Sequence, residues 1–470
     1  WETTNFQVSF TDDDNTSVND RFYQVCYFDG STWLANNDNG FLNENFSTGI
    51  TPQWTLLSGN WNNNSGVLVQ TDETSINTNM YAPVTQTSGN SYLYHWQMKI
   101  AGSGTNRRAG IYFMVDDPTM TQRNNAYMVY FRVDQNTCQI YKSVNDVIDL
   151  KTNDTCPIDS GVWFDAKVIY NSTTGEIKVF KDDIMVSSWI DASPLTAGNS
   201  VSLRTGEANV SYDDIKVYRS RSTSELVSIG TNGDAPYQNF FPQNPACIVL
   251  SVVTDSANNL SDIDSAFVNI DWTQPSAINY VEDGMNNDID TTFDATQLSA
   301  NWGLSLDDNS DVPNYFYAIG TTPGANDVVP WINNSNATTF TETGLSLSYG
   351  TTYYVAVAAM NGAGLMTDTT ISDGVLLLNP SFISDPENSN NDLKVYPVPA
   401  KDFIWINTGN KTIVSQPKVY NALGKQIPIT TTKVSGNLWQ INLGTIPRGL
   451  YVVKIKTQNG YLSRKFSIIK

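Results

Sequence analysis

The stretch GVWFDAKVIYNSTTGEIKVFKDDIMVSSW, Gly161 to Trp189, decides the fold. It reads as short apolar-polar strands broken by turn residues. Thr174 and Gly175 give a tight hairpin signal, and Asp182 with Asp183 supplies a second turn. Working outward, YLYHWQMKI (92–100), RRAGIYFMV (107–115), NAYMVYFRV (125–133), TCQIYKSV (137–144), SVSLRTG (200–206) and VSYDDIKVY (210–218) repeat the pattern. Nothing sustains helical periodicity for three turns, so the chain is expected to be all-β. At 470 residues it is too long for one core, which predicts a multidomain array of antiparallel sandwiches.

Charge divides the chain. Lys and Arg total 27, and Asp and Glu total 47. Residues 391–470 hold twelve of the basic residues and only Asp392 and Asp402 of the acidic ones, leaving 15 basic against 45 acidic in residues 1–390. An acidic body and a basic tail imply separate modules with different partners, and the body is no nucleic-acid binder. No apolar run approaches the roughly 20 residues of a spanning helix. The chain opens at Trp1 in mid-pattern, which reads as a processed or fragmentary form whose N-terminal signal peptide has been removed.

The succession over residues 47–218, closing in Tyr212–Tyr218, resembles laminin-G or concanavalin-like jelly rolls. The flanks NFQVSFTDDDN and RFYQVCYFDGSTWLANN before it, and PACIVLSVVTDSANNLSDI and AFVNIDW after it, resemble the two halves of an Ig-like sandwich. The resemblance implies an Ig-like domain of residues 1–46 plus 219–273, split by the inserted jelly roll; insertion at a surface loop costs little closure entropy. Residues 274–378 resemble a fibronectin type III domain. Trp302 stands as its buried tryptophan, and Tyr353, followed by Val355, Val357 and Ala359, as its tyrosine-corner residue. Residues 379–391, NPSFISDPENSNN, have linker composition.

Residues 392–470 resemble the type A C-terminal sorting domain of the Bacteroidetes type IX secretion system. The residues that carry the likeness are LKVYPVPAKDFIWIN, KVYNALGKQI, LWQINLGTIPRGLYVVKI and the closing RKFSIIK. Tyr396, Pro397 and Pro399 stand for the family's opening Tyr-Pro-Asn-Pro, with Val398 in place of Asn. Gly424, Gly449, Tyr451, Arg464, Lys465 and Lys470 match its later motifs. The resemblance implies an Ig-like sandwich of about seven strands, recognised by the outer-membrane translocon and its β-barrel shuttle protein. A sortase would then cleave near Asn388–Leu393, releasing the cargo or joining it to anionic lipopolysaccharide at the cell surface. Val395, Ile404, Ile406, Val419, Trp439, Ile441, Tyr451, Val453, Ile455, Phe466 and Ile468 are expected to face inward.

Catalytic signatures are missing from the sequence: there is no GxSxG, HExxH, Gly-rich phosphate loop or ExDxxE strand. The only histidine, His95, reads as a satisfied strand residue rather than a base. The residues in hand are therefore expected to be non-enzymatic. Sugar binding needs rings to stack on and polar groups to orient. Trp96, Tyr112, Tyr127, Tyr130, Arg107, Arg108, Arg123 and Arg132 offer that chemistry, with Trp96, Tyr112, Tyr127 and Arg132 the leading set. Likeness to related jelly rolls points to a structural calcium held by Asp213, Glu44 and Asn45. No cofactor other than that calcium is implied. Cys138 and Cys156 flank a hairpin and could bridge it, and on the Ig-like reading Cys26 and Cys247 could bridge the sandwich; four buried thiols are the alternative. Asp255, Asp264, Asp290 and Asp368 begin triplets that resemble the O-glycosylation signal of Bacteroidetes exoproteins.

Two functions follow as expectations. One is a secreted or cell-surface modular protein whose body binds glycans or surfaces, adhesin-like. The alternative is the non-catalytic C-terminal array of a polysaccharide- or protein-degrading exoenzyme.

Overall fold

A computed structural model describes residues 1–13, 17–229, 237–379, 393–458 and 460–469. Among these the regular elements are strands, apart from single 3-10 turns at Asn37–Asn39 and Val133–Gln135. Among the described residues no helix is long and apolar enough to cross a membrane. The chain forms two compact units, one of Trp1–Asp290, Thr296–Ser346 and Thr352–Leu376, the other of Thr291–Ala295, Leu347–Thr351 and Leu377–Lys470.

The hairpin that decides the fold class forms as its turn residues require. Trp163–Asn171 pairs with Glu176–Lys181, and that strand pairs with Ile184–Ile190. Asn171 Oδ1 accepts from the amides of Thr173 and Thr174 at 2.9 and 3.0 Å. Gly175 turns the chain at φ +75°, where a Cβ would lie 2.2 Å from the Asp191 carbonyl oxygen. Asp182 and Asp183, at φ 49° and 62°, make the second turn. Two successive left-handed residues match the right-handed twist of flanking strands.

Two sheets enclose the main core. One has seven strands in the order Val147–Thr155, Thr137–Val144, Ala126–Arg132, Arg108–Val115, Ala197–Gly206, Asn79–Thr87, Thr55–Ser58. The other has twelve strands and is organised by Asn209–Ser220. That strand pairs along one edge with Ser91–Ala101. Its other edge pairs in turn with Val67–Gln70, Leu42–Glu44 and Val18–Phe28. Tyr92, Tyr94, Trp96, Met98 and Ile100 alternate inward from one sheet and Ile111, Phe113, Tyr127, Val129 and Phe131 from the other. A cluster this size supplies most of the unit's stabilisation through apolar area removed from water.

The segments flanking the seven-stranded sheet meet by direct pairing. Phe6–Ser9 pairs with Ser224–Val227, and Val18–Phe28 with Cys247–Asp255. Because Arg219 lies opposite Tyr23 and Ser220 opposite Phe22, the twelve-stranded sheet runs on unbroken into these strands. Phe6, Tyr23, Val25, Val227, Ile229, Tyr237 and Val249 form a second core there.

Neither expected disulfide is present; all four cysteines are buried thiols. Register explains the first pair. Cys26 lies opposite Ile248 and Tyr27 opposite Cys247, so Cys26 and Cys247 sit on neighbouring strands of one sheet, one residue out of step. Alternation then sends their side chains to opposite faces. Cys138 lies opposite Asp154, and the Cys156 amide donates to the Asn136 carbonyl at 2.7 Å. Those two thiols are diagonal neighbours in the main core, a spacing that usually exceeds disulfide reach. Burial pushes the Cys156 thiol up to about 11 and the Cys247 thiol up to about 12.

Residues 275–376 contribute a three-stranded sheet of Val281–Asp283, Gln297–Trp302 and Thr339–Thr343, and a second sheet built on Asn314–Gly320 and Thr352–Met360. Trp302 is buried, its ring 5.8 Å from Tyr315 and 6.1 Å from Phe340; Tyr353 is buried too.

The tail is a sandwich of two four-stranded sheets. One joins Lys394–Tyr396, Phe403–Asn407, Leu438–Asn442 and Thr430–Ser435; the other joins Gln426–Ile427, Lys418–Asn421, Gly449–Thr457 and Gly460–Ile468. The eighth strand, beyond the seven expected, is the two-residue Gln426–Ile427. Ile404, Ile406, Val419, Ile441, Tyr451, Val453, Ile455, Phe466 and Ile468 are buried, and Val395 and Trp439 pack half-buried against them.

Two substitutions test these contacts. Gly175→Ala places a side chain at a left-handed φ and against a carbonyl, and is expected to lower unfolding free energy by about 1–2 kcal/mol in urea titration. Arg221, 1% exposed at its side chain, is held by Asp12 and lies 4.1 Å over the Phe10 ring. Arg221 first, and Arg21 second, hold the Asp12 carboxyl below its ordinary range. A carboxyl lowered only in the folded chain contributes fully above about pH 4 and loses that contribution as pH falls through the lowered value. Asp12→Ala is thus expected to cost about 3 kcal/mol at pH 7 and progressively less in acid, by denaturant titration at both pH values.

Candidate functional site

The seven-stranded sheet has two faces of different chemistry. Ala109, Ile111, Phe113, Tyr127, Val129 and Phe131 enter the main core, while Tyr112, Met128 and Tyr130 cluster on the opposite face; a bulge after Tyr112 reverses the order, so that Met114 turns inward and Val115 joins the opposite cluster. Register adds Arg204 opposite Gly110, Arg108 opposite Arg132, Gln139 opposite Tyr130 and Tyr141 opposite Met128. The result is a layer of guanidinium groups over phenol rings. Arg204 lies 5.9 Å from the Tyr112 ring and 5.4 Å from that of Tyr130; Arg123 lies 4.7 Å from Tyr112 and Arg108 5.9 Å from Tyr130.

Most of the layer is internally bonded. Arg204 Nη1 donates to the Tyr112 hydroxyl at 2.6 Å and to Gln122 Oε1 at 2.8 Å. Arg123 donates to the carbonyls of Thr78 and Thr121 and to Asn77 Oδ1, and burial pushes its guanidinium down to about 10. Arg132 Nη1 and the Tyr141 hydroxyl both donate to Gln139 Oε1, at 3.1 and 2.7 Å. Yet the Tyr130 hydroxyl, Arg132 Nε and Arg204 Nε are buried without a hydrogen-bond partner. Buried donors left unsatisfied are costly. Arg132 and Tyr141, both half-buried, carry the layer to the surface.

The leading aromatic set thus divides. Tyr112 and Arg132 join this face, whereas Trp96 and Tyr127 are wholly buried in the main core. Tyr127 donates to Asp191 Oδ2 at 2.6 Å and accepts from the Leu195 amide, a structural role. Arg107 is turned aside to Asp134, which it meets at 2.6 Å. Arg204, Gln139 and Tyr141 were missed. The alternation of Arg204 with Leu203 and Val201 was the available signal, but which strands lie beside it comes only from the sheet order.

At the proposed calcium position, Asp213 lies beside a bulge of Asn209–Ser220, and Glu44 lies opposite Ile215. Burial raises the Asp213 carboxyl, and Glu44 adds to the effect. Glu44 is already spent, accepting from the Phe46 amide at 2.8 Å and from the Thr51 and Gln53 side chains. The exposed Asn45 accepts from Ser47 instead. The three do not present a set of free oxygens. His95 pairs with Asp165, which also holds Lys167; His95 and Lys167 line a cleft of about 310 Å³ together with Leu260–Ile263.

In the tail, the first and last motifs lie side by side. Arg464 donates to the Leu393 carbonyl at 3.0 Å, the Ala400 amide to the Ser467 carbonyl at 2.7 Å and the Ile469 amide to the Ala400 carbonyl at 2.8 Å. Tyr396, Pro397 and Pro399 stand exposed beside them. Gly424 and Gly449 are exposed, Gly424 turning the chain at φ 75°, and Tyr451 is buried with its hydroxyl donating to the Pro447 carbonyl at 3.0 Å. Lys465 is half-buried; Lys470 and the expected cleavage segment up to Asp392 lie outside the described residues. A cleft of about 270 Å³ opens between Lys418, Lys454, Lys456, Tyr420 and Tyr461, with Lys454 4.8 Å over the Tyr461 ring.

Comparison with solved structures gives low-scoring likenesses to β-sandwich proteins. A carbohydrate-binding module from Bacillus subtilis matches at 15% identity and TM-score 0.30, over 35% of this chain and 93% of its own. The Bacillus licheniformis β-glucanase matches at 13% identity and TM-score 0.30, over 39% of this chain and 98% of its own. Scores this low assign no ligand. No curated protein sequence matches the chain. The tail is different: residues 394–470 match the family described as secretion system C-terminal sorting domain. Its tail therefore makes this chain a cargo of the type IX secretion system, exported to the cell surface or the medium.

Proposed function

We propose that the exported body is a glycan- or surface-binding array whose ligand face is the arginine and tyrosine layer of the seven-stranded sheet. The observation that carries this reading is the buried, unpartnered trio of the Tyr130 hydroxyl, Arg132 Nε and Arg204 Nε beside the Tyr112 and Tyr130 rings. The half-buried Tyr141 ring, where the layer reaches the surface, would supply stacking area, and Arg132, which shares Gln139 with it, would select hydroxyl patterns. On this reading residues 1–46 with 219–273, the enclosed 47–218, and 274–378 are the Ig-like, jelly-roll and fibronectin-like modules that present the face. We also propose that the tail is handled by the translocon, its shuttle protein and a sortase. Lys418, Lys454 and Lys456 would then suit an anionic surface component.

Two experiments test this. The full chain is expected to bind a subset of an array of plant, bacterial and host glycans, with Arg132→Ala or Tyr141→Ala weakening binding by about tenfold while leaving Tm unchanged. Silence across the array overturns the ligand face. In the native host, a chain ending before Asn391 is expected to fold and accumulate in the periplasm; undiminished export of that truncation contradicts the sorting role.

A further inference from the structure

Between Arg221 and Lys394 the sequence contains no Lys, Arg or His. Within that interval the fold gathers three carboxylates. Asp283 ends the strand Val281–Asp283, Asp288 lies in the loop that follows, and Asp373 arrives from the segment after Thr370–Ile371. One carboxylate oxygen from each lies within 4.8 Å of the others. This interval therefore brings no basic side chain of its own to offset them.

Asp283 sets this cluster apart from an ordinary acidic surface. The residue is completely buried, and Oδ1 has no hydrogen-bond partner. Oδ2 accepts from the Gly374 amide at 3.0 Å. Asp288 Oδ1 accepts from the Asp283 amide at 3.0 Å, which holds the loop carboxylate against the buried one. A buried, unpartnered carboxylate oxygen facing two more carboxylates is unfavourable unless a cation or a proton completes it. Burial first, then repulsion from Asp288 and Asp373, outweighs the Ser372 and Gly374 contacts and pushes the Asp283 carboxyl up to about 6.

We infer that Asp283, Asp288 and Asp373 form a divalent-cation site of calcium type. The donors are hard oxygens, which excludes soft thiolate- and imidazole-seeking metals. Two of the three carboxylates are exposed, leaving room for the water molecules that complete a coordination of six to eight. Three carboxylates with open positions for water suit the variable coordination of calcium better than the strict octahedron of magnesium. The cation would tie the Asp283–Asp288 loop to Asp373 and so brace the edge of this sandwich.

The test uses the full chain, stripped with EDTA and titrated calorimetrically with calcium chloride at pH 7.5. The wild type is expected to bind with a Kd at or below about 1 mM, in the range of extracellular modules, and its Tm is expected to rise with calcium. Asp288→Asn and Asp373→Asn, both at exposed positions, are expected to weaken that binding by at least about tenfold and to remove the calcium-dependent rise in Tm. In EDTA the same variants should match or exceed the wild-type Tm, because a repulsion is relieved. Asp213→Asn should leave the binding unchanged. Absence of any calcium response, wild-type affinity in both variants, or equal affinity for magnesium overturns the assignment.

Discussion

The larger unit depends on one strand being paired on both edges over most of its length. Asn209–Ser220 carries Ser91–Ala101 along one side, and three strands share the other. A strand so placed has little unpaired backbone, and its side chains are buried on both faces: Val210, Tyr212, Ile215, Val217 and Tyr218 are all inaccessible. Between Asp213 and Lys216 the register shifts, and Asp214 takes a left-handed conformation there. The bulge lets a single strand serve both the main core and the neighbouring one. Gln24 strengthens the joint by donating from its buried amide to the carbonyls of Leu42 and Val217.

That joint determines what lies on the free faces. With one side of the seven-stranded sheet committed to the core, Arg108, Arg132 and Arg204 share the opposite face with Tyr112, Tyr130 and Tyr141, and Arg123 joins them from the adjoining loop. Burying guanidinium groups is tolerable when each finds carbonyls, amides or ring faces, as Arg123 does completely and Arg204 does in part. The incomplete satisfaction distinguishes this face from the fully bonded core. Asp283 shows the same logic with the opposite sign, a buried oxygen with nothing to meet it.

What could be read from the residues was what depends on near neighbours. Gly175 and the Asp182–Asp183 pair announced their turns because positive φ favours few residue types. The tail was legible because its motifs occur in order along the chain, and alternation named most of its core. The long-range partners were not legible. Trp96 and Tyr127 offered the right rings for a sugar but face inward. Cys26 and Cys247 share a sheet, yet a one-residue offset separates their side chains. Arg204 and Asp373 could not be singled out, because their partners lie roughly a hundred residues away.

The sequence by itself therefore determined the all-β class, the turns, the acidic body and the basic tail with its export address. Each follows from composition or from contacts within a few residues. Only the tertiary structure decided which face of each strand is buried, that the flanking segments share a sheet with the long block between them, and that Asp283 meets Asp288 and Asp373. A strand pattern of period two names two faces without saying which one another strand will cover. That choice is made by pairing across long separations, where register and sheet order assign each side chain its neighbours.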